Sequence, residues 1–238
     1  MLLDLIKKKC VYDMETHIEH GGIMSYLNPS GYLKARKEVS IFEKVTFITM
    51  DGIFLLRFLK YFKVASCPRV TFDMGSLTPK VFEYAIKHSK SVYFIGTDKV
   101  SIQKAVDNIQ DQYKDLNIIG YRDGYFQKDE RQDILNNIKT LNPDIVICGM
   151  GTIAQEKFLI DLLKNGWTGC SFSCGGFLHQ TASKIIYYPE FFNKHNIRWL
   201  YRMYKEPKVI KRYFVDYTTF VFVFIYDFFK YKQTKNYS

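Results

Sequence analysis

The 238-residue chain lacks the marks of several large protein classes. Its five cysteines, Cys10, Cys67, Cys148, Cys170 and Cys174, form no CxxC pair and are odd in number. That pattern suggests neither a zinc cage nor a disulfide framework, and a reducing cytosol fits best. No uninterrupted apolar run reaches the roughly 20 residues that a membrane-spanning helix needs. The apolar start, residues 1–6, is short and precedes Lys7, Lys8 and Lys9, the reverse of a secretory signal, so no export is expected. No internal repeat is present, and the low-complexity content is confined to the apolar aromatic run at residues 220–226.

What is abundant is apolar and basic. Hydrophobic residues make up 47% and aromatics 17%, enough apolar surface to offset the entropy of ordering a globular chain. Lysine and arginine number 34 against 24 acidic residues, a formal charge of +10. That balance favours a polyanionic partner, whether nucleic acid, phosphate or an acidic lipid surface.

From about residue 22, short β-branched or apolar runs alternate with longer amphipathic stretches, the pattern of a parallel sheet covered by helices. Strands are predicted at residues 23–27, 45–49, 91–95, 117–119, 144–150 and 169–173. Helices are predicted at 29–42, 53–62, 79–88, 100–113, 130–140 and 154–163. The fold class is therefore α/β, a Rossmann-like, largely parallel sheet flanked by helices. After Pro189 the alternation stops and Tyr, Phe, Lys and Arg dominate. The expected organisation is an α/β domain over residues 1–195 and a basic, aromatic, helical, membrane-associating appendage over 196–238.

Ligands of such sheets sit beyond the carboxyl ends of the strands. Those positions hold Asn28, Asp51 with Gly52, Gly96, the Gly149 to Gln155 segment, and Gly175 with Gly176. Gly149, Gly151 and Ala154 have GxGxxA spacing, but no acidic residue stands about 20 positions on to hold a ribose, which disfavours a dinucleotide oxidoreductase. What remains is a glycine-rich turn feeding a helix N-terminus, a seat for a diphosphate. Gln155 and Glu156 in its first turn either meet a sugar or base or cap the helix. Asp51 reads as a general base fixed at a strand end, or as the N-cap of the helix starting near Ile53. Arg69, in PRVT, is suited to clasp a phosphate or to form a surface ion pair. His179 follows Gly175 and Gly176 and reads as a structural or a catalytic histidine.

There is no DxD triplet to hold a divalent ion, so neither a metal nor a cofactor is expected, and negative charge must be met by cations and helix N-termini. Arg198, Arg202 and Lys205 recur at helical spacing among aromatics, suited to an anionic headgroup layer. Asp216 and Asp227, within residues 213–229, argue for a segment lying on a membrane surface, or for a helix docked on the core or on a second copy of the chain. A non-catalytic nucleotide- or RNA-binding module is the rival class. It is disfavoured, and no nucleic acid is expected as partner, because the basic residues cluster beside apolar ones at the C-terminus instead of striping a sheet face.

Further marks occur in order: LNP at 27–29, MDG at 50–52, RVT at 69–71, FIG at 94–96, DGYF at 123–126, NPDIVICGMGTIAQEKF at 142–158, CGGF at 174–177 and RWLYRMYKEP at 198–207. Over residues 22–214 the chain thereby resembles the WecG/TagA/CpsF glycosyltransferases, glycosyltransferase family 26. The resemblance implies an inverting, metal-independent transferase that moves a hexose, N-acetylmannosamine or its uronic acid from a UDP-sugar to an undecaprenyl diphosphate-linked sugar at the cytoplasmic membrane face. It implies Asp51 as base, Arg69 facing phosphate, and Asn28 and Gln155 in the substrate site, with Gly52, Gly96, Gly149, Gly151, Glu156, Gly175, Gly176, His179, Arg202 and Arg212 as further binding positions. The chain departs from the family pattern at Tyr26 (usually threonine), Ile153 (usually proline), His179 (often aspartate) and Thr97 to Lys99, all around the implied donor site.

Overall fold

The computed structural model describes residues 1–10, 12–195 and 197–236. Six strands, β1 (Gly22–Leu27), β2 (Phe47–Met50), β3 (Ser91–Gly96), β4 (Asn117–Arg122), β5 (Ile145–Gly149) and β6 (Cys170–Ser173), form one sheet ordered β2-β1-β6-β5-β3-β4. Every pairing is parallel, so all six carboxyl ends emerge on one edge. Because successive side chains of a strand point to opposite faces, β1, β3 and β5 each feed two cores. Ile23, Tyr93, Ile95, Val146 and Cys148 face one, while Met24, Val92, Phe94, Ile145 and Ile147 face the other.

On the first face lie α1 (Leu2–Lys9), α3 (Pro29–Ala35), α4 (Val39–Glu43), α5 (Ile53–Tyr61), α8 (Glu130–Leu141) and α9 (Ala154–Lys164). The second face carries α2 (Met14–His20), α6 (Leu77–Lys87), α7 (Lys99–Gln112) and α10 (Phe177–Ser183). The apolar start of the chain is thus a core helix, with Leu2, Leu3 and Ile6 buried in α1. Lys9, at its end, donates from Nζ to the carbonyls of Phe42 (3.1 Å) and Glu43 (2.6 Å), satisfying the open carbonyl end of α4.

The single helix expected over residues 29–42 is instead two, α3 and α4. In an unbroken helix Glu38 would share a stripe with Gly31, Ala35 and Phe42 and be driven into the core. The break leaves it at the surface, paired with Lys157 at 3.3 Å.

The C-terminal region forms α11 (Glu190–Lys194), α12 (Arg198–Lys205) and the 27-residue α13 (Ile210–Asn236). One face of α13 docks on the first core. Phe220 and Phe224 are fully buried against Tyr32, Phe54 and Phe58. The two acids do not face outward. Asp227 accepts from Arg36 through Nε (2.9 Å) and Nη2 (2.8 Å) and from the Tyr32 hydroxyl (2.8 Å), and Asp216 accepts from Ser30 Oγ at 2.5 Å. Among the described residues, no helix is long and apolar enough to cross a membrane.

Where β3 meets β5, two glycines allow a close approach. A methyl on Gly96, which sits at φ +147, would come 2.4 Å from the Gly149 carbonyl oxygen. Gly151 also has positive φ (+83), but its missing side chain would meet nothing within 4 Å. Gly96→Ala is therefore expected to cost about 3 kcal/mol of stability or more, and Gly151→Ala only about 1–2 kcal/mol of backbone strain; urea unfolding of the two variants compares them directly.

His17 is 1% exposed, set edge-on between Phe47 and Phe172, and donates from Nε2 to the Ser171 carbonyl at 3.1 Å. Burial pushes its imidazole down from 6.5 to about 4. The folded state thus holds the neutral ring, and the stability this contributes is complete above pH 6.5 and lost as pH falls toward 4, in all about 3 kcal/mol. Unfolding of wild type and His17→Leu at pH 7 and pH 4.5 should show the variant losing less on acidification.

Candidate active site

All six strands deliver residues from their carboxyl ends into one cleft of about 1070 Å³. Tyr26 and Asn28 come from β1, and Asp51 with Gly52 from β2. Thr97 and Asp98 follow β3, Gly124 and Tyr125 follow β4, the segment from Gly149 to Thr152 follows β5, and Ser173 to Gly176 follow β6. This is the crevice position expected of such a sheet, and chain tracing explains it: β3 leads outward to β4, whereas β5 leads inward to β6.

Asp51 and Arg69 lie together on this cleft, although 18 residues separate them. A parallel bridge pairs Met50 with Arg69, extending the β2 edge by one contact, and Arg69 donates from Nε to the Asp51 carbonyl at 3.3 Å. Asp51 does not cap α5. The N-cap is Gly52, and no side chain caps that helix. Burial raises the Asp51 carboxyl above its ordinary value and the negative Asp73 adds to this, against the pull of Arg69, Arg202 and Arg198. Burial and then the positive charge of Arg198 lower the Arg69 guanidinium, with Asp51 and Asp73 opposing. An anion seated here would relieve the crowding of guanidiniums.

The other carboxylates of the cleft are committed. Asp73 binds Arg198 Nη1 at 2.5 Å and the Gly75 amide at 2.8 Å, and accepts from the Thr71 hydroxyl. Asp98 caps α7 through the Ser101 amide at 2.9 Å, and its hydrogen bonds to Ser101 pull it down to about 2. Asp51, by contrast, has no ion-pair partner among the described residues, and its carboxyl is the one that burial raises.

Asn28 caps α3, accepting from the Gly31 amide at 2.9 Å while lining the cleft. Gln155 lines it too, yet its amide also ties two turns together: Nε2 donates to Glu156 Oε1 (2.9 Å) and Oε1 accepts from the Gly175 amide (3.3 Å). Glu156 is fully buried behind the wall, accepting from Ser25 Oγ at 2.7 Å and from the Ile153 amide at 2.6 Å. Gly96 is likewise buried behind it, and neither belongs to the cleft lining. Glu156 therefore holds the β5–α9 turn in place of touching a ligand. That turn needs holding, because Ile153 adopts φ +84, a costly conformation for a β-branched residue.

The roof comes from the C-terminal region. Arg202 and Arg212 line the cleft with Arg198, and His179 sits exposed on its rim. Arg198 lies 5.3 Å from the Tyr188 ring centre and Arg202 is 3.3 Å from Glu206. Asp73, Arg198 and Tyr188 were not singled out as site residues from the sequence. Asp73 stands four residues after Arg69 and was the one readable signal, since an acid so near a phosphate-facing arginine invites a partner. The boundary drawn at residue 196 falls on a position outside the described residues.

The Glycosyl transferase WecG/TagA/CpsF family model matches residues 3–234. A UDP-Gal:alpha-D-GlcNAc-diphosphoundecaprenol beta-1,4-galactosyltransferase of Shigella boydii is 33% identical over 205 residues, covering 86% of this chain and 86% of that protein. An N-acetylglucosaminyldiphosphoundecaprenol N-acetyl-beta-D-mannosaminyltransferase of Bacillus subtilis (strain 168) is 26% identical over 196 residues, covering 81% of this chain and 75% of that protein. With the match running through β1 to α13 and across every wall of the cleft, the chain belongs to the WecG/TagA/CpsF family of glycosyltransferases.

Proposed function

We propose that this enzyme transfers a sugar from a UDP-sugar to a saccharide carried on undecaprenyl diphosphate, in the building of a cell-surface polysaccharide. The observation that carries the reading is the juxtaposition of Asp51 and Arg69 on one cleft under the arginines of α12 and α13. Asp51 takes the proton of the acceptor hydroxyl as that oxygen attacks the anomeric carbon, and the bond to the UDP oxygen breaks. With one carboxylate poised to act and Asp73 and Asp98 committed elsewhere, the reaction is a single displacement with inversion. Arg69, Arg202 and the N-terminus of α9 receive the charge of the departing diphosphate, so no metal is required. Asn28, Gln155, the glycine turns and His179 shape the donor site. Of the two relatives named, the galactosyltransferase is the more similar, so UDP-galactose heads the panel of donors, ahead of UDP-N-acetylhexosamines.

Asp51→Asn keeps the shape of the side chain and removes the base. Turnover should fall at least about 100-fold, with UDP affinity by calorimetry nearly unchanged; retained turnover would remove Asp51 from the mechanism. Because the wild-type carboxyl is raised, the acid limb of kcat/KM should lie above the ordinary carboxylate value of 3.8, with activity lost as pH falls through it.

We place the enzyme on the cytoplasmic face of the membrane, held peripherally by the outer face of α13. With Asp216 and Asp227 turned inward, that face presents Phe214, Phe222, Tyr226 and Phe229, each more than 60% exposed, beside Lys211, Arg212 and Lys230. Aromatic rings and cations in this arrangement suit an anionic headgroup layer. Deleting the helix would also strip the core of Phe220 and Phe224, so the informative variant is the triple change Phe222→Ser, Tyr226→Ser, Phe229→Ser. Sedimentation with phosphatidylglycerol vesicles should weaken by about tenfold or more at an unchanged thermal midpoint, and undiminished binding would reject the anchor.

A further inference from the structure

The cleft has a second cationic end that the Asp51–Arg69 pair does not use. Lys34 of α3, Arg57 of α5 and Arg212 of α13 all line it. Helical spacing shows how they converge. Lys34 lies one turn after Ser30, which bonds Asp216; Arg57 lies one turn after Phe54, which stacks on Tyr217 with ring centres 5.6 Å apart; and Arg212 lies one turn before Asp216. Three helices that meet at Ser30, Phe54 and Asp216 thus bring one cation each to the same junction.

These cations differ from those at the inner end. Arg198 pairs with Asp73 and Arg202 approaches Glu206, whereas Lys34, Arg57 and Arg212 have no ion-pair partner among the described residues. Neither α3 nor α5 contains an acidic residue, and the nearby Asp216 is engaged by Ser30. Like charges gathered on one concave surface, in excess over the single carboxylate of Asp216 beside them, repel one another until an anion is bound.

Position relates this end to the chemistry. Arg57 stands five residues beyond Gly52 on α5, about 7 Å along the helix from the residue that adjoins Asp51. A hydroxyl presented to Asp51 and a diphosphate held by Arg57 would be separated by roughly one sugar ring. The same end continues onto Phe214, the first exposed ring of the α13 face.

We infer that Lys34 and Arg57, with Arg212, form the seat for the acceptor's diphosphate, distinct from the inner seat of the donor's diphosphate. The inference rests on the proposed transferase reaction and adds which side chains hold the acceptor and where its lipid leaves the protein. A guanidinium and an ammonium on separate helices divide the work: Arg57 grips one phosphate in forked fashion, and Lys34 supplies a point charge to the other.

The test compares wild type with Arg57→Gln, Lys34→Gln and, as a charge control outside the cleft, Lys104→Gln on α7. Two acceptors are used, N-acetylglucosamine linked through diphosphate to a short prenyl chain, and an alkyl N-acetylglucosaminide without the diphosphate. With the first, Arg57→Gln and Lys34→Gln should each raise the acceptor KM about tenfold while the UDP-sugar KM holds and Lys104→Gln behaves as wild type. With the second, all four proteins should be alike. An unchanged acceptor KM, or an equal loss on both acceptors, would overturn the assignment. Should wild type transfer to neither acceptor, the transferase reading fails, and calorimetry with farnesyl diphosphate decides the seat by itself: tenfold weaker binding in Arg57→Gln and Lys34→Gln supports an anion site, and equal affinity in all four proteins rejects it.

Discussion

The charge of the cleft depends on the burial of two rings. Phe220 and Phe224 of α13 pack against Tyr32 of α3 and Phe54 and Phe58 of α5, and removing two such side chains from water is worth several kcal/mol. That packing, locked by Asp227 between Arg36 and Tyr32, fixes the course of α13 and so sets Arg212, Tyr213 and Tyr217 on the cleft rim. The Arg198–Asp73 pair does the same for α12. Without these contacts the sheet would still end in its glycine turns and Asp51, but the cleft would lose its roof and, with Arg198, Arg202 and Arg212, half of its six lysine and arginine side chains.

The balance of charge inside follows from where each carboxylate finds partners. Asp73 accepts from the Arg198 guanidinium and the Gly75 amide, Asp98 accepts from the Ser101 amide and is held down by it, and Asp51 gains its opposing charges only at a distance. Desolvation therefore wins at Asp51 and raises its carboxyl, the condition that suits a base which must hold a proton transiently. Arg69 experiences the complementary stress from burial beside Arg198. The site thus sets several guanidiniums around one carboxylate raised by burial, the charge arrangement on which the proposed reaction draws.

Much of the fold was legible because it rests on short-range periodicity. The runs at 23–27, 91–95 and 144–150 are strands because their side chains are apolar on both faces, and only a sheet sandwiched between helices buries both. The glycine turns and the strand-end positions of Asn28, Asp51 and Gly175 follow from that reading. The amphipathic stretch at 29–42 misled because the stripe it predicts includes Glu38, and a single charge outweighs continuation of the helix. Asp216 and Asp227 left a surface-lying helix and a docked one both open, because the partners that dock α13, Ser30, Arg36 and Tyr32, are more than 180 residues away in sequence.

By itself, then, the sequence determined the parallel α/β sheet and the strand-end positions of Asn28, Asp51 and the glycine turns, because each is written in a period or a turn a few residues long. Tertiary structure alone decided that Asp73 is ion-paired while Asp51 has no ion-pair partner among the described residues, that Glu156 supports a strained turn from behind the wall, and which face of α13 is left exposed. Those outcomes depend on contacts between distant segments, such as Ser25 with Glu156 and Thr71 with Arg198. The free energy of such contacts exists only after the chain has closed, so no local window of sequence records it.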